Sequence, residues 1–393
     1  MTESTGTAPP AAAAVNPHTS APGFWRGTRL VAALELRQRL RSRALLVLVI
    51  VWFALIGTVT WIAWGSLSAA AHAFDGVSDG FPLFSIIVYF VLLFGTLVAP
   101  AVSAASIGAE RGQATLATTQ VTLISTWSLL IGKALAAWLT GIAFLVAATP
   151  FVVFSLIYSK AGPAQLLLAL LALALQIGVF TIIGVGLSAA IRSQVFAIVM
   201  AYLVVALLSV GTLIAFGLAA GITTRYVEVE VQTTSETYDL AVEACENLAE
   251  EADDVDACYE SIPLECEASL ETMSYTPTHT IWWLLALNPY VVVADMVPPQ
   301  IENDYPTDLF GSIAYGVRDM QRVADQPTGW DECSTGFEEY VEPDSTATVF
   351  DRTVPVWWIG FGLQVLLAAA ALWAGRRTLD TPARKLPRGS RIA

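Results

Sequence analysis

AQLLLALLALALQIGVFTIIGVGLSAAI-RS-QVFAIVMAYLVVALLSVGTLIAFGLAAG, residues 164–221, holds one charged side chain, Arg192, between two apolar runs of 28 residues each. About 20 apolar residues in helical conformation cross the hydrocarbon core of a bilayer, so each run is long enough to span it. Arg192-Ser193 leaves room only for a minimal turn. The two runs are read as the fourth and fifth of six transmembrane helices in an all-α polytopic membrane protein.

The other spans follow outward from this pair. The first covers Ala44 to about Ser66, the second Pro82 to about Gly108, the third Trp127 or Ser128 to about Tyr158, and the sixth Val354 to Gly375. Composition agrees: of 393 residues, 55% are hydrophobic and 14% charged, against roughly 25% charged in soluble domains. Charge is divided sharply along the chain. Gly221 to Thr353 holds 28 of the 34 acidic residues and four basic ones (Arg225, Arg318, Arg322, Arg352), a net charge of −24. The remainder holds 16 basic and six acidic residues, a net +10. An acidic aqueous domain is thus set into a basic membrane domain.

Lys and Arg accumulate in the short cytoplasmic flanks of membrane helices. Phe24 to Arg43 carries six arginines, residues 376–393 carry six basic residues, and Arg111 and Arg192 occupy the second and fourth connections. The first connection has no Lys or Arg and the third only Lys160. Both termini are therefore expected in the cytoplasm. Residues 1–23 read as a disordered cytoplasmic tail without the basic region of a signal peptide, residues 24–43 as an interfacial helix, and residues 376–393 as a basic cytoplasmic tail. Residues 222–353 form the expected extracytoplasmic domain between spans five and six. No Asn-x-Ser/Thr sequon occurs, which is compatible with a bacterial cytoplasmic (inner) membrane.

All four cysteines, Cys245, Cys258, Cys266 and Cys333, lie in that exported segment. In an oxidising compartment they are expected to form two disulfides, with three pairings open. Their spacing lacks a CxxC knuckle, which argues against metal. Ile281 to Val297 is 17 residues long and split by Asn288-Pro289. It is short for a span, and reads as a re-entrant or interfacial element with Trp282, Trp283 and Tyr290 at headgroup level, or else as a buried core helix of the outer domain.

No motif points to an enzyme. There is no GxxxxGK[ST], GxSxG or HExxH, and His18, His72 and His279 are too scattered for a triad. Asp253-Asp254-Val255-Asp256 lacks the Gly and distal Glu of a calcium loop. Neither a cofactor nor nucleic acid is expected on this chain. The informative stretch is SIGAERGQATLATTQVTLISTWSLLIGKALAAWL, residues 106–139. Leu116, Leu123 and Trp127 fall near one helical face with threonines largely opposite, the pattern of a short amphipathic helix near 109–127. Gly112 permits a bend beside the charge pair Glu110-Arg111. A plain loop re-entering the membrane is the alternative.

This stretch resembles the signature region of ABC-2-type transporter permeases: Glu110-Arg111-Gly112, then Thr115-Leu116-Ala117-Thr118, a small turn, and an apolar helix opening with Gly132-Lys133. It departs at Gln113, where Thr is usual, and at the polar Thr119-Gln120. Leu287-Asn288-Pro289-Tyr290 is similar to the Asn-Pro-aromatic element that such permeases carry before their last span, and the arginine-rich run before the first span resembles their connecting helix. The resemblance implies the permease subunit of an ABC exporter, with a second permease copy or paralogue facing it across the pathway. It also implies a separate ABC ATPase that binds ATP-Mg. Glu110, Arg111, Gly112, Leu116, Leu123 and Trp127 would then couple the ATPase to spans two and three. The acidic insert is outside the family pattern. A membrane-anchored receptor or scaffold, or a secondary transporter, remains the competing reading; almost charge-free spans count against the latter.

Overall fold

The computed structural model of the chain describes residues 23–73, 82–112, 125–249, 258–259, 261–323, 327–329, 333 and 345–380. Among these, six helices are long and apolar enough to cross a membrane. Only closed backbone hydrogen bonding is tolerated in lipid, and a helix satisfies it within one segment. A short helix, α1 (Phe24–Leu40), precedes the first span, α2 (Arg43–Ala73). The second span is α3 (Leu83–Ser103), followed by a turn and the short α4 (Gly108–Gly112). α5 (Thr126–Tyr158) and α6 (Pro163–Ala190) are the third and fourth. The fifth is α7 (Gln194–Ala206) and α8 (Thr212–Thr223), joined through a π-helical turn at Leu207–Gly211. The sixth, α14 (Trp357–Leu379), starts three residues later and ends four residues later than the sequence reading placed it.

The fourth span is the centre of the bundle. Its Leu173 and Ile177 join Trp52, Ile56, Leu92 and Phe144 of the first three spans in the largest apolar core. On another side it meets the sixth span through glycines. A Cβ on Gly186 would lie 2.5 Å from the carbonyl carbon of Ala371, and one on Gly375 would lie 2.6 Å from the Ala189 Cβ. Small residues of this kind let helices approach closely where lipid supplies no hydrophobic drive to associate. The second span ends just after Pro100, and Ser188 Oγ on the fourth span accepts from the amides of Ile107 (3.1 Å) and Gly108 (3.2 Å) where the chain turns.

The acidic segment is not helical throughout. β1 (Arg225–Thr234) pairs antiparallel with β2 (Cys266–Tyr275), from Arg225 opposite Tyr275 to Thr234 opposite Cys266. Val229 and Val231 are buried while Glu228 and Glu230 are exposed, the alternation of a half-buried strand. α9 (Glu236–Ala249) lies between the strands in sequence. Cys245 bonds Cys258 and Cys266 bonds Cys333, with Cα–Cα distances of 5.9 and 6.3 Å. The two expected disulfides thus exist, in one of the three pairings the sequence left open.

Ile281–Val297 folds as two short helices, α10 (Trp283–Ala286) and α11 (Pro289–Met296), broken at Asn288. Neither reaches spanning length. Val293, Ala294 and Val297 join the same apolar core as the first four spans, so the element is wedged into the mouth of the bundle. Of the three aromatics expected at headgroup level, Trp283 is exposed; Tyr290 packs on Tyr89 and Trp282 on the Leu285–Val356 cluster. A two-residue ribbon, β3 (Ile301–Glu302) with β4 (Tyr305–Pro306), then α12 (Leu309–Asp319) and α13 (Thr346–Arg352) lead to the sixth span.

Candidate functional site

The residues around Glu110 assemble at the end of the bundle that carries Gly23, Gly112 and Asp380. The third span begins with an N-cap: Ser125 Oγ accepts from the Ser128 amide at 3.2 Å. Such caps satisfy amides that a helix start leaves open. Ser128 Oγ in turn donates to the Phe24 carbonyl at 3.1 Å, which seats α1 against this span. One turn on, Gly132 has no room for a side chain, because a Cβ there would stand 2.7 Å from the Val31 Cβ and 2.9 Å from the Thr28 carbonyl oxygen. The face of α1 that packs here is small, built from Gly27, Thr28, Val31 and Ala32. Its leucines 30, 34 and 40 point outward, as an amphipathic helix at a lipid surface would hold them.

That close approach delivers Lys133 to two carboxylates. Lys133 Nζ lies 2.6 Å from Glu110 Oε1 and pairs with Glu35 Oε1 of α1. Arg39 Nε lies 3.6 Å from Glu35 Oε2, and its guanidinium also donates to the Val102 carbonyl at 3.5 Å. Side-chain exposure is 1% for Lys133, 13% for Glu35 and 28% for Glu110. The four charges sum to zero, which is what allows them inside: an unpaired buried charge is strongly disfavoured, whereas a paired and hydrogen-bonded one is tolerated. Burial pulls the Arg39 guanidinium below its ordinary pKa, and attraction to Glu35 opposes that pull. Three elements, α1, α4 and the third span, are therefore joined by one ionic cluster.

The sixth span ends at the same corner. Thr126 Oγ1 donates to Asp380 Oδ1 at 2.5 Å, Arg376 pairs with Asp380 at 2.9 Å, and the Arg376 guanidinium sits 5.0 Å above the Trp127 ring. Trp127 thus faces the sixth span. Arg111 and Gly112 close α4, while Leu116 and Leu123 lie outside the described residues. Glu110, which the resemblance makes a coupling residue, pairs with the buried Lys133. Glu35, Arg39 and Lys133 were not singled out from the sequence, although each left a signal. Glu35 is the sole acid among the six arginines of 24–43, and Lys133 is the sole charge in the third span.

At the opposite end Asn288 does two things. Its Oδ1 accepts from the Tyr290 amide (2.9 Å), capping α11. Its Nδ2 donates to the Ser209 carbonyl (2.7 Å) and to Thr212 Oγ1 (2.9 Å). Ser209 belongs to the π-helical turn of the fifth span, where the i→i−4 pattern is interrupted. Pro289 fills the first position of α11, where an amide would have been unsatisfied in any case. Asp295 forms a buried pair with Arg318 at 2.5 Å. Its second oxygen accepts from the amides of Val356 (2.6 Å) and Trp357 (2.9 Å), starting the sixth span. These groups position helices and offer no nucleophile beside a base. Among the described residues, no three His, Cys, Asp or Glu side chains gather to hold a metal.

The family model described as ABC-2 family transporter protein matches residues 29–290, from the second turn of α1 to the first turn of α11. Among curated proteins, none matches the chain.

Proposed function

Since the chain belongs to the ABC-2 transporter family, whose members are the membrane subunits of ABC transporters, we propose that it is the permease of an exporter driven by a separate ATPase. Two permease chains, identical or paralogous, enclose the pathway; ATP-Mg binds the ATPase alone. The segment between Gly112 and Ser125 is the contact with that ATPase, on the cytoplasmic face of a bacterial inner membrane. One observation carries this reading: the segment leaves Gly112 and returns at Ser125, and both roots are clamped to one another through Glu110, Lys133 and Glu35. A push received between such roots moves spans two and three as one body, because packed elements shift between discrete arrangements and do not stretch. The departure of Gln113 and Thr119-Gln120 from the family pattern lies within the contact and would tune partner choice.

The test leaves the clamp intact. Leu116→Asp combined with Leu123→Asp should lower transport-stimulated ATPase turnover of the reconstituted complex, or the amount of ATPase that co-purifies. Permease yield and both disulfides should stay unchanged. If turnover and co-purification both equal those of the parent, the segment is a passive loop and the reading fails. Glu110→Lys is a poor probe of the same question, because it would place two ammonium groups together at a buried position and disturb the clamp itself.

A further inference from the structure

We infer that the outer end of the fifth span carries a binding site for a phosphate ester, the headgroup phosphate of an anionic phospholipid. A recess of about 590 Å³ opens where that span gives way to β1, lined by Arg225, Thr223, Thr224, Tyr275, His279 and Thr280, among others. None of the described residues lining it is acidic. That is unusual in a segment with 28 acidic residues and four basic ones. Arg225 and Tyr275 are directly opposed in the β1–β2 register and so share a face of the ribbon. The nearest acid on that face, Glu271, is four residues along β2, about 13 Å away. Arg225 has no carboxylate partner among the described residues. His279 lines the recess as well; its Nδ1 is shielded from solvent and meets no hydrogen-bond partner among the described residues. The Arg225 guanidinium, the Tyr275 phenol and the His279 imidazole supply groups of the kind that phosphate oxygens take; the hydroxyls of Thr223, Thr224 and Thr280 already donate to backbone carbonyls.

The depth of the recess selects the source of that phosphate. Thr223 is the last helical residue of the span, and Ile222 and Val323 on the rim are 84% and 71% exposed. Trp283 donates its indole N–H to the carbonyl of Thr280, in the wall, while leaving its ring half exposed, the arrangement of an interfacial tryptophan. An acyl chain could run along Ile222 while its headgroup phosphate meets Arg225. The site also has a physical reason to exist. A domain of net charge −24 is repelled by an anionic leaflet, and a cationic recess at its junction with the bundle holds the two together.

Native mass spectrometry of the purified full chain tests this with dioleoyl phosphatidylglycerol, phosphatidylcholine and inorganic phosphate as separate probes. One phosphatidylglycerol should be retained more tightly than phosphatidylcholine. Arg225→Gln should weaken it about tenfold, the loss of one charge-assisted hydrogen bond. Arg225→Lys should retain most of the binding, and His279→Gln should weaken it less than Arg225→Gln. Inorganic phosphate that displaces the lipid at millimolar concentration shows that the phosphate is the recognised group. Phosphate that binds alone, without any lipid preference, keeps the site but moves its source to free phosphate. Equal retention of phosphatidylglycerol by the parent and Arg225→Gln, with phosphate binding also unchanged, overturns the inference.

Discussion

Replacing Lys133 with Met asks whether the ionic cluster holds the corner together. Met keeps the apolar stem and the volume but removes the ammonium that lies between Glu35 and Glu110. Two carboxylates then face each other with Arg39 alone to balance them. Removing one partner of a buried pair costs about 3–5 kcal/mol. Glu110 is 28% exposed, so water relaxes part of its share and the expected loss is near the lower end, about 3 kcal/mol. Glu110→Gln alone should cost less, because Lys133 keeps Glu35. The double variant Glu110→Gln with Lys133→Met is again neutral, through Glu35 and Arg39, and should recover much of the loss. The coupling energy in that cycle is expected between about 0.5 and 3 kcal/mol. Unfolding in mixed micelles of rising SDS fraction, followed by tryptophan fluorescence, reads all four proteins on one scale. Lys133→Met unfolding at the parent's SDS fraction, or a double variant that loses the sum of the singles, would refute the pairing.

Mass mapping without reductant should find no free thiol and the pairs Cys245–Cys258 and Cys266–Cys333. Loop-closure entropy makes Cys266→Ser costlier, at about 4 kcal/mol for a 67-residue separation against about 3 kcal/mol for Cys245→Ser across 13 residues; the same unfolding assay should rank them in that order, and the reverse order would mean that the long link spans a region with little structure to hold. Asn288→Ala leaves the Tyr290 amide without its partner and the Ser209 carbonyl with only Thr212 Oγ1, at 3.2 Å, in a site that is 1% exposed, and should cost about 1–3 kcal/mol. Unchanged stability there would show that the π-helical turn closes on itself once Asn288 is gone.

The six spans were legible because each is an apolar run with few competing readings. Their ends were less so, and the sixth shows why. Val354-Pro355-Val356 is apolar enough to be counted into the span, but the helix begins where the Asp295 carboxylate meets the Val356 and Trp357 amides, 61 and 62 residues away in sequence. The first strand of the ribbon in the acidic domain is legible in the sequence. Val227, Val229 and Val231 alternate with Glu228 and Glu230, a strand's period of two, set in a stretch whose acidity otherwise resembles solvated surface. The disulfide pairing was not legible at all, since it depends on strand register: Cys266 pairs opposite Thr234, and Cys333 reaches the Thr233 carbonyl from 100 residues away. At the base, the sequence shows Glu110 beside Arg111 but not the Lys133 that meets it 23 residues on. A carboxylate at a helix end looks exposed in one dimension; only the packing of Gly132 under Val31 shows that α1 comes close enough to shut its partner in.

The two ends of the bundle are held by different chemistry, and the difference decides how a load entering at Gly112 would travel. At the base, one ionic cluster joins α1, α4 and the third span, and Thr126 and Trp127 tie that span to the end of the sixth. Gly186 and Gly375 lock the sixth span to the fourth by backbone approach. Nothing in this set can slide without exposing a buried charge or forcing two backbones apart, so on the proposed reading the base moves as one piece. The fifth span meets that set without any ion pair among the described residues: Val205 and Leu208 pack with Ile183 and Ala368, and Gln194 lies against Gly108. Its contact with the broken helix combines Phe216 packed against the cluster of Leu285 and Ala286 with neutral hydrogen bonds from Asn288 to Ser209 and Thr212, each worth about 1 kcal/mol net. They meet the span at the π-helical turn, where its own ladder is already irregular. On the proposed reading, a rigid base and a span held by neutral contacts place the bending at Leu207–Gly211, about halfway along the fifth span and roughly 20–26 Å from its start at Gln194.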